Sequence, residues 1–288
     1  MISAGNTLGL IGTGLMGTAI TERLQAAGFR VRGWDSEAVR LAASGAEAAD
    51  NAAAVLRSCE CVVLSLPDSQ VVDSVLNEAA AALRPGQLIL DTTTGRPEDA
   101  VRFAERLRFL GVAYLDATIS GSSEQLRRGE ALCMVGGGAA DFARCAGLFA
   151  ALGGRVIHVG ASGDGARMKL VTNLVLGLNR AALAEGLALA EAMGLDLPQT
   201  LHVLQSSAAA SRIMDSKGGK MIARDFSPVA RLSQHLKDVR LVQQAGEAAG
   251  LRLPLTEAHC HLLEQAEGAG LGAQDNSALI EVIRRSVS

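Results

Sequence analysis

The hexapeptide Gly12-Thr13-Gly14-Leu15-Met16-Gly17 follows an apolar run, Leu8–Ile11, and opens a helix-forming segment that closes before Gly28. In that setting each glycine has a physical job. The first permits a tight turn, the second lets a pyrophosphate approach the backbone, and the third lets helix and strand pack closely. The phosphates then meet the helix N-terminus, where unpaired N–H groups and the dipole favour negative charge. Asp35 ends the next apolar run, Arg30–Trp34, 23 residues after Gly12. A carboxylate there accepts hydrogen bonds from the adenosine ribose and repels the extra phosphate of NADP. Ser36 follows, where an arginine would serve that phosphate, so the pattern leans to NAD over NADP, with Arg32 and Arg40 as the counterweight. The competing reading is a plain glycine-rich turn with Asp35 capping the next helix.

A second pair, Lys169 and Asn173, lies near the start of a long apolar segment. Four residues apart on a helix, they project from one face about one turn from each other. Polar groups among Leu, Val and Ala need water, a partner or a ligand. A desolvated lysine can exchange a proton with a substrate hydroxyl, although a solvated lysine in a first helical turn is the simpler account.

The elements that must position these residues follow from the periodicity. Leu8–Ile11, Val31–Trp34, Cys61–Leu66, Leu88–Leu90 and Val112–Ala117 read as strands, with shorter ones at Ala131–Val135 and Arg155–Val159. Helical segments alternate with them at Leu15–Ala27, Ser69–Leu83 and Pro97–Phe109. This order predicts an α/β fold, a Rossmann-type doubly wound parallel sheet with helices on both faces. After Gly165 strand signals stop. Arg167–Met193 reads as one long interdomain helix, apolar nearly all round and so buried on most sides, followed by an all-α C-terminal domain. The predicted domains are residues 1–165 for the dinucleotide and 166–288 for substrate and oligomerisation. The turns Leu66-Pro67-Asp68 and Asp91-Thr92-Thr93-Thr94 end strands on the face where ligands bind such sheets.

Composition narrows the function. In 288 residues, 27 Lys+Arg against 30 Asp+Glu give a net charge of −3, which argues against a nucleic-acid partner. Five scattered cysteines do not form a disulfide framework, which points to a reduced, cytoplasmic setting. Residues 1–21 carry no charge, but their glycines and polar residues interrupt the apolar run, so neither a signal peptide nor a membrane association is expected. His259-Cys260-His261 cannot chelate from one helix face, and no metal is expected.

With these residues in view, the chain resembles the β-hydroxyacid dehydrogenases, a family that includes 3-hydroxyisobutyrate dehydrogenase and tartronate semialdehyde reductase. The resemblance runs from about Leu8 to Ile283 and rests on ordered motifs. These are Gly-Leu-Ile-Gly-Thr-Gly-Leu-Met-Gly (9–17), Leu-Pro-Asp (66–68), Asp-Thr-Thr-Thr (91–94), Asp-Ala-Thr-Ile-Ser-Gly (116–121), Gly-Asp-Gly-x-x-x-Lys-x-x-x-Asn (163–173), His-Leu-Lys-Asp (235–238), Leu-Pro-Leu-Thr (253–256) and Gly-Leu-Gly-x-x-Asp-x-Ser-Ala (270–278). It implies hydride transfer between NAD(P) and a small acid substrate in a cleft between the domains. Lys169 would be the acid/base, with Asn173 orienting it. Ser120, Gly121 and Ser122 would bind the substrate carboxylate, Lys237 would lie near both substrate and nicotinamide, and Leu66, Pro67 and Thr94 would lie against the cofactor. It also implies a homodimer or homotetramer. The chain departs from the family pattern at Thr118-Ile119-Ser120-Gly121-Ser122, where Pro-Val-Ser-Gly-Gly is usual, and at Thr172, often Asn. Arg128 could meet a second acidic group, or be a solvated loop residue. The alternatives are an imine reductase, which typically has Asp or Tyr at the position of Lys169, and a dinucleotide-binding protein without turnover.

Overall fold

The computed structural model describes residues 1–285, and among them the chain divides into two compact units that part between Lys169 and Leu170. The first alternates strand and helix: β1 (Thr7–Ile11), α1 (Leu15–Ala26), β2 (Arg30–Trp34), α2 (Ala38–Ala43), β3 (Glu47–Ala48), α3 (Ala52–Ser58), β4 (Cys61–Leu64), α4 (Ser69–Glu78), β5 (Leu88–Asp91), α5 (Pro97–Phe109) and β6 (Ala113–Ser120). Then come α6 (Ser123–Arg127), β7 (Leu132–Gly136), α7 (Ala139–Arg144), α8 (Ala146–Leu152) and β8 (Arg155–Gly160). The sheet order is β3-β2-β1-β4-β5-β6-β7-β8, and its first six strands are parallel in the doubly wound 3-2-1-4-5-6 order.

Alternation along the strands explains the layers. Leu8 and Leu10 of β1, Val63 of β4, Leu88 and Leu90 of β5 and Leu115 of β6 enter one core. Ile11, Val62, Leu64, Ile89 and Tyr114 enter the other. Both faces are covered by helices, so the central strands are continuous apolar runs.

The expectation of a wholly parallel sheet needs one correction. β7 runs antiparallel to β6, pairing Ser120 with Leu132 and Asp116 with Gly136, and β8 is parallel to β7. Only eleven residues separate the ends of β6 and β7, too few for a crossover, so the chain doubles back. β6 also runs three residues beyond Ala117, which puts Ser120 at a strand end.

The long helix α9 spans Asp164–Ala192. The second unit adds α10 (Leu197–Ser206), a π-helical turn at Met214–Gly218, α11 (Gly219–Ala223), α12 (Leu232–Ala248), α13 (Pro254–Ala266) and α14 (Ile280–Arg285). One of its cores joins Leu183, Ala184 and Leu187 of α9 to Met214, Met221 and Ile280. Contrary to the expectation of burial on most sides, α9 carries exposed apolar side chains at Val171, Val175 and Leu189, with 59%, 52% and 61% exposure. Among the described residues no helix is long and apolar enough to cross a membrane.

Candidate active site

The glycine turn has the geometry its spacing predicts. Gly12 has φ +93°, and a Cβ there would collide with the Ser65 carbonyl oxygen at the end of β4. A Cβ on Gly17 would collide with the Gly12 carbonyl oxygen, so α1 can lie this close to β1 only with glycine there. At Gly14, by contrast, a Cβ would meet nothing within 4 Å. Open space therefore lies beside the N-terminus of α1, which no side chain caps and whose first-turn N–H groups, on Leu15, Met16 and Gly17, need an outside acceptor. This cradle fits a pyrophosphate.

Asp35 is tied to that turn. Its Oδ2 accepts from Thr13 N at 2.6 Å and from Thr13 Oγ1 at 3.2 Å, while Oδ1 accepts from Glu37 N at 2.9 Å. The residue capping α2 is Glu37, so Asp35 does not serve as that helix's N-cap. Ser36 is exposed, and exposed Arg40 pairs with Glu37 at 2.8 Å. Leu66, just past β4, donates its N–H to Thr93 Oγ1 at 3.2 Å, which joins the Leu66-Pro67 turn to the loop holding half-buried Thr94. Beneath this loop Asp91 accepts from Thr93 N at 2.9 Å and from the Tyr114 hydroxyl at 2.8 Å. Burial pushes the Asp91 carboxyl up to about 6 despite these bonds.

The lysine is held by β6 and by the start of α9. Asp116, 3% exposed, accepts from Gly163 N and Ala166 N, each at 2.9 Å, one with each carboxylate oxygen. Two residues on, Thr118 Oγ1 donates to Gly165 O at 2.9 Å. A further residue on, Ile119 O accepts from Lys169 Nζ at 2.6 Å. Lys169 is 8% exposed, so the simpler account of a solvated lysine fails. The bond places its ammonium at the carbonyl immediately before Ser120 and Gly121. Ser122 caps α6: its hydroxyl accepts from Gln125 N at 3.2 Å, and its N–H donates to Gln125 Oε1 at 2.8 Å. What Ser122 can offer a ligand is thus its hydroxyl proton. Arg128 pairs with Glu130 at 2.9 Å on the surface.

In the second unit, Asp238 links two residues singled out in the sequence. Its Oδ2 accepts from Asn173 Nδ2 at 3.1 Å, and its Oδ1 lies 3.1 Å from Lys237 Nζ. Asn173 is buried on α9, one turn beyond Lys169. Sequence reasoning passed over Asp238 and Asp116 as site residues. The available signal was a carboxylate inside an apolar strand for Asp116, and adjacency to Lys237 for Asp238. His259 and His261 diverge, His259 being buried and His261 exposed against Gln265. The five cysteines are free and buried.

A doubly wound sheet with this glycine turn and this acid defines a dinucleotide-binding oxidoreductase fold. Residues 7–160 match the NAD-binding domain of 6-phosphogluconate dehydrogenase, and residues 163–283 match the NAD-binding region of NADP-dependent 3-hydroxyisobutyrate dehydrogenase. The chain is 35% identical over 282 residues to 2-hydroxy-3-oxopropionate reductase of Escherichia coli (strain K12), covering 96% of each chain. It is 31% identical to 2-(hydroxymethyl)glutarate dehydrogenase of Eubacterium barkeri, over 96% of this chain and 94% of that one. The structure of Mycobacterium tuberculosis 3-hydroxyisobutyrate dehydrogenase with L-serine superposes with a TM-score of 0.88 at 27% identity, over 97% of this chain and 99% of that one.

The chain belongs to the β-hydroxyacid dehydrogenase family. It is an NAD(P)-dependent oxidoreductase that transfers a hydride between the cofactor and a small β-hydroxyacid or its semialdehyde.

Proposed function

We propose that Lys169 is the general acid/base of this reaction, that Asn173 orients it, and that Ser120, Gly121 and Ser122 receive the substrate carboxylate. The observation that carries this is the bond from buried Lys169 to Ile119 O, which brings a proton donor to the residue preceding the Ser120–Gly121 loop. When bound, the nicotinamide supplies the hydride for reduction or accepts it in oxidation. In reduction, the Lys169 ammonium gives one proton to the carbonyl oxygen of the semialdehyde as that oxygen gains negative charge. The amine then recovers a proton from water, and oxidation reverses these steps. The carboxylate held at the loop fixes the reacting carbon relative to Nζ.

The cofactor residues of this reading are Gly12, Gly14, Leu15, Met16, Gly17, Asp35, Ser36, Leu66, Pro67 and Thr94. Lys237 serves both substrate and nicotinamide. The Asp35 carboxylate at the glycine turn supports NAD as the preferred cofactor, because it would repel a ribose phosphate. Residues 1–165 form the dinucleotide domain and residues 166–288 the substrate and oligomerisation domain. Exposed Val171, Val175 and Leu189 on α9 support a homodimer or homotetramer in which that stripe is covered. Five free thiols support a reducing, cytoplasmic setting. The substrate is a small hydroxyacid or semialdehyde of the type its relatives' names describe, such as 2-hydroxy-3-oxopropionate. A kinetic screen of small hydroxyacids and aldehyde acids, with NAD and NADP cofactors in parallel, tests this. Turnover of at least one such acid with NAD favoured is expected. Reduction of cyclic imines alone, or cofactor binding without turnover, would overturn it.

A further inference from the structure

One buried cation of the helical unit, Arg180, has no carboxylate paired with it among the described residues. Arg180 lies on α9 seven residues beyond Asn173 and is 2% exposed, and neither Nε nor Nη1 has an acceptor among the described residues. The nearby cation, Lys217, is matched: its Nζ donates to both oxygens of Asp275, at 2.7 and 2.9 Å. Asp275 is fully buried and already saturated, since it also accepts from the N–H groups of Val229, Ala230 and Ser277 and from the Ser277 hydroxyl. Its field reaches Arg180 and opposes the burial that pushes that guanidinium down to about 10, yet no oxygen of it is left to pair. Arg180 therefore stays protonated at neutral pH.

The histidine rings beside it add no negative charge. The rings of His235 and His259 press against α9 at Gly177, one turn before Arg180. Their centroids are 5.2 Å apart, and a Cβ on Gly177 would stand 2.7 Å from His259 and 3.0 Å from His235. Burial, and then the Arg180 charge, hold His259 down to about 4, so it is neutral, and its buried Nε2 also has no partner among the described residues. Asp238 is engaged by Asn173 and Lys237. Of the two buried carboxylates, Asp238 is paired with Lys237 and Asp275 with Lys217, and a guanidinium without a counter-charge of its own is among the costliest groups to hold in a protein interior. A water molecule would satisfy its N–H groups but not its charge.

We propose that Arg180 anchors a compact monovalent anion, of chloride's size and charge, within the helical unit. The ion gives Arg180 a counter-charge of its own beneath α9, the helix that carries Asn173. It accepts from the Nε–H of Arg180, and it is structural, taking no part in hydride transfer.

Crystals of the intact protein grown with bromide as the halide test this directly. An anomalous peak at hydrogen-bond distance from Arg180 Nε is expected, and it should vanish in Arg180→Met. In solution, replacing gluconate by chloride at constant ionic strength should raise Tm by about 2–4 °C in the wild type, and not at all in the variant. If Arg180→Met fails to fold, the wild-type bromide density and chloride shift still decide the matter. A water bridging Arg180 to the buried, likewise unpartnered Asn276 Oδ1 would overturn the proposal. So would a carboxylate from a second copy seated on the guanidinium, or a Tm indifferent to the choice of anion.

Discussion

Replacing Asp116 by Asn tests whether β6 positions Lys169, the proposed acid/base. Asn is nearly isosteric, so packing is retained, but only one of its two heads can accept. Of the two N–H groups held at 2.9 Å, on Gly163 and Ala166, one would then face an NH2 group. A buried N–H left unpaired costs about 1–3 kcal/mol, and losing a negative charge at a helix N-terminus costs about 0.3–1 kcal/mol more. Burial raises the Asp116 carboxyl above its ordinary value, so the ionised form already carries a desolvation penalty that Asn escapes. The offset leaves a net loss of about 1–3 kcal/mol, read as a lower urea midpoint. The first turn of α9 also sets where Lys169 emerges, and a displacement of about 1 Å at a reacting group can lower turnover by roughly 10²-fold. Stopped-flow measurement should therefore show kcat reduced at least tenfold while the Kd for NADH stays near that of the wild type. A variant as stable and as fast as the wild type would refute the argument that Asp116 places Lys169.

Two other outcomes follow from the same geometry. Burial raises the Asp91 carboxyl from 3.8 to about 6, so the native state holds that proton more tightly than the unfolded chain. Its contribution is present below about pH 4 and is lost as pH rises through 6. Wild-type stability should therefore gain about 2–3 kcal/mol relative to Asp91→Asn between pH 7.5 and 4, measured by urea unfolding at both pH values, and equal pH dependence in the two proteins would exclude this role. Asp35→Ala should shift the ratio of kcat/KM for NAD over NADP towards NADP by about 10–100-fold, the worth of a charge-assisted hydrogen bond; an unchanged ratio would remove Asp35 from cofactor selection.

Much of the α/β half was legible because its strands are buried on both faces and its turns are glycine-rich. Pro97–Phe109 forms a helix with the predicted bounds, since Pro97 starts it and Ala100, Phe103 and Leu107 repeat on its buried face at helical spacing. β3 escaped notice because Glu47 and Ala48 are two exposed residues with no apolar signature, held only by pairing with Arg32 and Gly33. The reversal at β7 escaped for a different reason: strand direction depends on connection length and pairing, and the residues of Leu132–Gly136 suit either sense. At the site, the glycine turn and Asp35 could be read locally, within one strand–helix–strand unit. Asp116 could not, because its partners are 47 and 50 residues away. The same holds for Asp238, whose bond to Asn173 spans 65 residues. Ser122 looked like a ligand residue by position, and its capping bond with Gln125 became visible only once α6 was placed.

Whether Lys169 moves the proton is decided by the single-turnover rate of Lys169→Ala with its acid substrate, alongside the variant's affinity for NADH. Turnover should fall by roughly 10²–10⁴-fold with cofactor affinity nearly unchanged; turnover equal to that of the wild type would contradict the role proposed for Lys169.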